Sequence, residues 1–160
     1  MQLMISDANI LIDMEEGGLL DLMFSLPYRF TVPNIVLERE LHEMADRLTG
    51  LNIETGDVSG NWMKYAMELR AQYKKISIYD SIGIALAKQE QAPLLTGDLA
   101  LRKAAQQEAV IVKGTLWLVE QLIIHNKITV QTAEVSFSKM RAGGRRLPWP
   151  EIELMLSKYA

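Results

Sequence analysis

The sequence predicts an α/β fold. It is read as a three-layer α/β/α arrangement with a parallel sheet of about five strands, helices on both faces and a helical extension at the C-terminal end. Three observations predict it. Short apolar runs alternate with amphipathic segments, which is the pattern of strands joined by crossover helices. The 160 residues suit one compact domain with a sizeable core. The last thirty or so residues contain no strand candidate and read as helix alone. The expected organisation is a main domain over residues 1–128 and an extension over 129–160, packed on the same domain or on a partner.

In order, "QLMIS" is a short buried strand ending at Asp7, and "ANILIDME" turns helical until Gly17-Gly18 interrupts it. "LLDLMFSL" continues as helix to Pro27, and "YRFTVP" is a second strand rich in β-branched and aromatic residues. Pro33 suits the first turn of a helix running through "NIVLERELHEMADRL". "LNIET" is a third, short strand. Asp57 then caps a long helix, "VSGNWMKYAMELRAQYKK", with Trp62, Ala66, Leu69 and Tyr73 along one face. "SIYDSIGIALAKQEQ" is a helix whose buried stripe holds Ile78, Ile82, Ala85 and Leu86. "APLLTGD" is strand four, "LALRKAAQQE" a helix and "AVIVKG" strand five. "TLWLVEQLIIHN" is a helix closed by Asn126. The tail reads as helix "ITVQTAEVSFSKMRAGG", a kinked basic turn "RRLPWP" and a short helix "EIELMLSKYA" begun by Pro150.

Composition narrows the function classes. The chain has no cysteine, which excludes disulfides, thiolate metal sites and cysteine nucleophiles. A net charge of -3 means that a nucleic-acid partner must be held by a local basic patch or through metal ions. The N-terminal stretch has no basic leader and meets Asp7 almost at once, so no signal peptide is expected, and no apolar run approaches a membrane span. The expected location is cytoplasmic. No Walker-A loop, G-x-G-x-x-G or G-x-S-x-G elbow is present. His42 and His125 lie on different helices without ligand spacing.

Four carboxylates remain as candidates. In an open parallel sheet, ligands bind beyond the carboxyl ends of the strands. Asp7 closes strand one and Asp98 closes strand four, while Asp80 opens the helix before strand four and Glu40 lies in the helix after strand two. Each also has a plain structural reading. Asp7 and Asp98 suit helix caps, Asp80 sits at capping-box spacing from Ser77, and Glu40 suits a solvated helix position. Asp13, Glu15, Glu16 and Asp21 read as ordinary surface charges. Taken together, converging carboxylates repel one another unless a cation lies among them, and such hard oxygen donors suit Mg²⁺ or Mn²⁺.

"ISDANILID", "VPNIVLEREL", "SIYDSIGIALAKQEQAPLLTGD" and "VKGTLWLVE" occur in the order expected of a PIN domain, and the chain resembles that family over about residues 1–128. PIN domains are metal-dependent nucleases and include the VapC-type toxins of toxin–antitoxin pairs. The resemblance assigns Asp7 to the first acid, Asp80 to the third and Asp98 to the fourth, with Asn9 and Thr96 as supporting polar residues. For the second acid "LEREL" offers Glu38 and Glu40, with Arg39 at the midpoint. Glu40 is preferred because it precedes Leu41 and lies one turn beyond Val36.

The implied activity is Mg²⁺- or Mn²⁺-dependent hydrolysis of RNA, leaving a 5′-phosphate and a 3′-hydroxyl. Asp7, Asp80 and Asp98 would hold the metal, and Glu40 would bind it directly or through water. Arg102, Lys103, Lys113, Arg141, Arg145 and Arg146 would track the RNA backbone. The implied partners are RNA, a small antitoxin inserting a segment over the acidic cleft, and a second copy of the chain in a homodimer. The rival reading is a PIN fold retained as a catalytically weak or inactive module that binds RNA or a protein.

Overall fold

The computed structural model describes all 160 residues. Its centre is a five-stranded, wholly parallel sheet in the order β3-β2-β1-β4-β5. The strands are β1 (Gln2–Ser6), β2 (Tyr28–Pro33), β3 (Glu54–Gly56), β4 (Leu94–Leu95) and β5 (Val112–Lys113). Strands one and four are neighbours, with Ser6 opposite Leu95, so their carboxyl ends open side by side.

Alternate residues of a strand face opposite sides of a sheet, and that alternation builds two cores. Met4, Phe30, Val32 and Leu95 point to one side. There they meet α1 (Ala8–Glu16), α2 (Leu20–Met23), α8 (Thr115–Ile124), α9 (Val130–Ala142) and α10 (Trp149–Ser157). Ile5 and Leu94 point to the other side, against α5 (Gly60–Gln72), α6 (Ile78–Glu90) and α7 (Leu99–Gln107). The tail helices bury Ala133, Phe137, Met140, Ile152 and Met155 in the same core as α1 and α8. Arg141 of α9 lies 4.9 Å from the ring centre of Trp149 at the start of α10.

Three details differ from the sequence expectation. The helix expected through "NIVLERELHEMADRL" is broken into α3 (Asn34–Arg39), a tight turn at His42–Met44 and α4 (Ala45–Gly50). Val36 and Leu41 are both buried although five positions apart. On an unbroken helix they would lie about 140° from each other, so the break rotates Leu41 and Leu48 inward. The cap of α5 is Ser59 rather than Asp57. Finally, α6 is buried over every residue from Ser81 to Ala87, not along one stripe, because α5 covers its outer side through Ala66 against Ile82 and Ala85.

Candidate active site

Asp7 and Asp98 sit where strands hand over to helices, Asp80 sits in the first turn of α6, and each of the three has a structural task. Asp7 caps α1: its Oδ1 accepts from the Asn9 backbone N–H at 3.3 Å. Asp98 caps α7: its Oδ1 accepts from the Leu101 N–H at 2.8 Å. Asp80 and Ser77 form a reciprocal capping box at the start of α6. The Ser77 N–H donates to Asp80 Oδ2 at 2.9 Å, and the Asp80 N–H donates to Ser77 Oγ at 3.1 Å. Ser77→Ala removes one half of that box and is expected to cost about 1 kcal/mol, measurable by urea unfolding of the two proteins.

Thr96 ties the first and fourth acids together. Fully buried, its hydroxyl donates to Asp7 Oδ2 at 2.8 Å and accepts from the Asp98 N–H at 3.1 Å. Both its hydrogen-bonding roles are therefore satisfied inside the site. Asp7, Asp80 and Glu40 line one small cavity, together with Ser6, Val36 and Tyr79. Glu40 is the residue that ends α3, and Glu38 is outside this lining. Asp98 lies in an adjoining pocket of about 580 Å³, bounded by Asn9, Asp13 and the turn Gly144–Arg146.

The electrostatics record the proximity of these groups. Burial pushes the Asp7 carboxyl up to about 6; Thr96 and the Asn9 N–H oppose the shift, and the charges of Asp80 and Asp98 add to it. Asp80 is raised by burial and, more weakly, by Asp98, against the lowering bonds from Ser77. Glu40 is raised by its partial burial and then by Asp7 and Asp80. Carboxylates that raise one another in this way are held close enough for their charges to interact.

No three of the chain's histidine, aspartate and glutamate side chains form a group that holds a metal ion as they stand. The donor chemistry nonetheless fits a hard cation. All the groups are carboxylates, and Asp80 and Asp98 each commit one oxygen to a helix end and keep the other free of protein donors. Mg²⁺ needs only one or two direct carboxylates, because it retains several waters.

One functional-looking residue escaped the sequence reading. Asp13 is not a surface charge; it is 4% exposed. Its Oδ2 accepts from Thr115 Oγ1 at 2.8 Å, and its Oδ1 accepts from Arg145 Nε at 2.6 Å. Arg145 Nη2 also donates to Asn9 Oδ1 at 3.0 Å. Asn9 therefore supports Asp7 through its backbone and holds the tail turn through its side chain. A signal was present in the sequence: Asp13 lies three residues after Ile10 and directly before Met14, within the inward side of α1.

Strands whose carboxyl ends gather acids beside helix N-termini define an α/β protein with a ligand site at the sheet edge. The chain belongs to the PIN domain family, whose family model matches residues 3–160. Among solved structures it is similar to a chain in the crystal structure of VapBC2 from Rickettsia felis bound to a DNA fragment from their promoter. The TM-score is 0.51 and the identity 16%, over 71% of this chain and 98% of that one. At that identity the likeness is one of fold. No protein of curated function matches the sequence. No helix is long and apolar enough to cross a membrane.

Proposed function

We propose that the chain is a ribonuclease of the PIN type that depends on Mg²⁺ or Mn²⁺, with Asp7, Asp80 and Asp98 as the metal-holding acids and Glu40 assisting them. The observation that carries this reading is the gathering of Asp7, Asp80 and Glu40 around one small cavity, with Asp98 tied to Asp7 through Thr96; burial first, and then neighbouring charge, pushes Asp7 up to about 6 and raises Asp80 and Glu40. A bound divalent cation would relieve that repulsion, neutralise charge at a scissile phosphate and make a water more acidic. Thr96 and the Asn9 N–H fix the Asp7 carboxylate. The Leu101 N–H fixes Asp98, and Ser77 fixes Asp80. Because Asp7, Asp80 and Asp98 each bond the backbone at a helix start, the orientation of each is largely set before a ligand arrives.

The proposed partners are an RNA substrate, an antitoxin-like segment covering the acids, and a second copy of the chain; the proposed location is the cytoplasm. The membership of the PIN family and the likeness in fold to a chain of VapBC2 support a toxin role.

The test is Mn²⁺-dependent cleavage of a labelled single-stranded RNA by the purified chain, beside calorimetric titration with Mn²⁺. Asp98→Asn keeps a good helix cap but removes the charge. It is expected to weaken Mn²⁺ binding and to slow cleavage at least about a hundredfold, the upper end of what losing even a supporting group costs. Saturable Mn²⁺ binding that is unchanged in Asp98→Asn, or cleavage that survives the change, would overturn the assignment. Absence of any Mn²⁺ binding would favour the non-catalytic module instead.

A further inference from the structure

The C-terminal extension reaches the acids through one side chain. After α9 the chain turns at Gly143 and Gly144, where Gly144 has a φ of 82°, a left-handed conformation that glycine adopts without strain. The Arg145 N–H then bonds back to the Met140 carbonyl at 3.0 Å. That turn brings the Arg145 guanidinium against α1. Its Nε meets Asp13 and its Nη2 meets Asn9, two residues four positions apart that share one face of the helix. Asn9 is also the residue whose backbone N–H donates to Asp7 Oδ1.

Docking of the tail does not require this fork. α9 already closes on α1 at the opposite end of that helix. A Cβ at Gly17 would overlap the Met140 side chain, and one at Gly143 would overlap that of Glu16. Phe137, Met140, Ile152 and Met155 supply the apolar burial. A buried ion pair is often no more stabilising than apolar side chains in its place. What the planar guanidinium adds is direction, because it fixes two partners at once.

Asp7 is the acid whose setting depends on that direction. Thr96 grips its Oδ2 at 2.8 Å, which leaves the carboxylate free to turn about that bond. What opposes the turn is the bond from the Asn9 N–H to Oδ1. At 3.3 Å it is already beyond the ordinary limit of about 3.2 Å, so a small shift of the first turn of α1 breaks it. Arg145 holds the side chain of that same Asn9 at 3.0 Å.

We infer that Arg145 is a positioning residue for the acid site: by holding Asn9 it sets the Asp7 carboxylate, and so couples docking of the tail to binding of a divalent cation. The inference rests on the proposed function for the presence of the cation. The coupling is reciprocal, so the factor by which the docked tail raises cation affinity is the factor by which the cation holds the tail down. The same turn walls the pocket of Asp98, so a displaced tail disturbs both of the acids that Thr96 ties together.

The experiment is calorimetric titration with Mn²⁺, beside melting curves in EDTA, for Arg145→Lys, Asn9→Ala and the double variant. Arg145→Lys keeps a cation beside Asp13 but lacks the planar fork. Asn9→Ala keeps both its backbone N–H and the Asp13–Arg145 pair. Each is expected to melt near the wild type yet to bind Mn²⁺ about tenfold more weakly, the lower end of what losing the partner of a metal ligand costs. The double variant should bind no more weakly than either single one, since both cut the same link. Arg141→Ala removes the stacking on Trp149 within the same tail. It should lower the melting temperature and leave Mn²⁺ affinity unchanged, which separates a loosened tail from a misplaced acid. In the wild type, saturating Mg²⁺ should slow amide exchange of the peptide containing Arg145 about tenfold, and in Asn9→Ala it should not. Wild-type affinity in either single variant, losses that multiply in the double variant, or exchange indifferent to Mg²⁺ would each overturn the inference. So would a loss of affinity in Arg141→Ala equal to that in Arg145→Lys. Mn²⁺ binding that is lost in Asp98→Asn but untouched by the tail variants refutes the coupling alone. Tail-coupled Mn²⁺ binding by a chain that cleaves no RNA refutes the nuclease alone, and a wild type that binds no Mn²⁺ overturns both.

Discussion

Asp7→Asn is expected to abolish RNA cleavage and, at the same time, to make the protein melt at a higher temperature at neutral pH. The Asp7 carboxyl is raised from 3.8 to about 6, chiefly by burial, so the folded state holds its proton more tightly than the unfolded chain does. Its favourable contribution is complete below pH 4 and is lost as pH rises through about 6. Above that, the buried charge costs about 3 kcal/mol. Asparagine carries no charge and still accepts from the Asn9 N–H as a good cap. Its amide cannot accept from Thr96, which returns about 1 kcal/mol of the gain. A net gain of about 2 kcal/mol corresponds to roughly 4–8 °C in a domain of this size. The gap between variant and wild type should widen from pH 4 to pH 7 and then level off. Added Mn²⁺ should raise the melting temperature of the wild type but not of Asp7→Asn. A variant that melts below wild type at pH 7.5 in EDTA, or a gap that does not change with pH, would show that Asp7 is held for stability rather than for a ligand.

That coupling of cap and charge explains why the sequence was informative about some parts and silent about others. The parallel sheet was legible because its strands are short apolar runs separated by strongly periodic helices. β2 spans Tyr28–Pro33, the residues of "YRFTVP". The lengths of β4 and β5 were less legible: each is two residues long, although ladder bonds also reach Pro93, Thr96 and Ile111 beside them. Caps were legible wherever the side chain closes a local ring, as at Ser77 and Asp80, because that bond depends on spacing of three residues alone. Burial of charge was not. Asp13 reads as a surface acid in one dimension because its partners, Thr115 and Arg145, lie 102 and 132 positions away. The break after α3 failed for the same reason: "NIVLERELHEMADRL" has good helical composition, and only packing of Leu41 and Leu48 against the core rotates it out of register. The candidate acids were visible as strand-end residues, but the bond from Thr96 to Asp7, 89 positions apart, was not visible as a distance.

Arg145→Ala is expected to destabilise the fold by about 3 kcal/mol, the lower end of the range for breaking a buried ion pair by removing one partner. The Asp13 side chain is only 6% exposed, whereas that of Arg145 is 25% exposed, so the loss falls almost wholly on the carboxylate left behind. Thr115 supplies that carboxylate with one hydrogen bond, which does not replace a guanidinium. The cost arises from the stranded charge more than from the pair, so Asp13→Asn in the Arg145→Ala background should restore much of the stability. Its amide oxygen can still accept from Thr115. Urea denaturation of the wild type, both single variants and the double variant gives the coupling directly. A strongly favourable coupling with partial rescue is the expected result. Additive losses would mean that the tail is held by the apolar packing of Phe137, Met140 and Ile152 alone. The same ion pair fixes the turn Gly144–Arg146 against Asn9, beside the Asp98 pocket. Arg145→Ala should therefore also lower cleavage at temperatures where it remains folded.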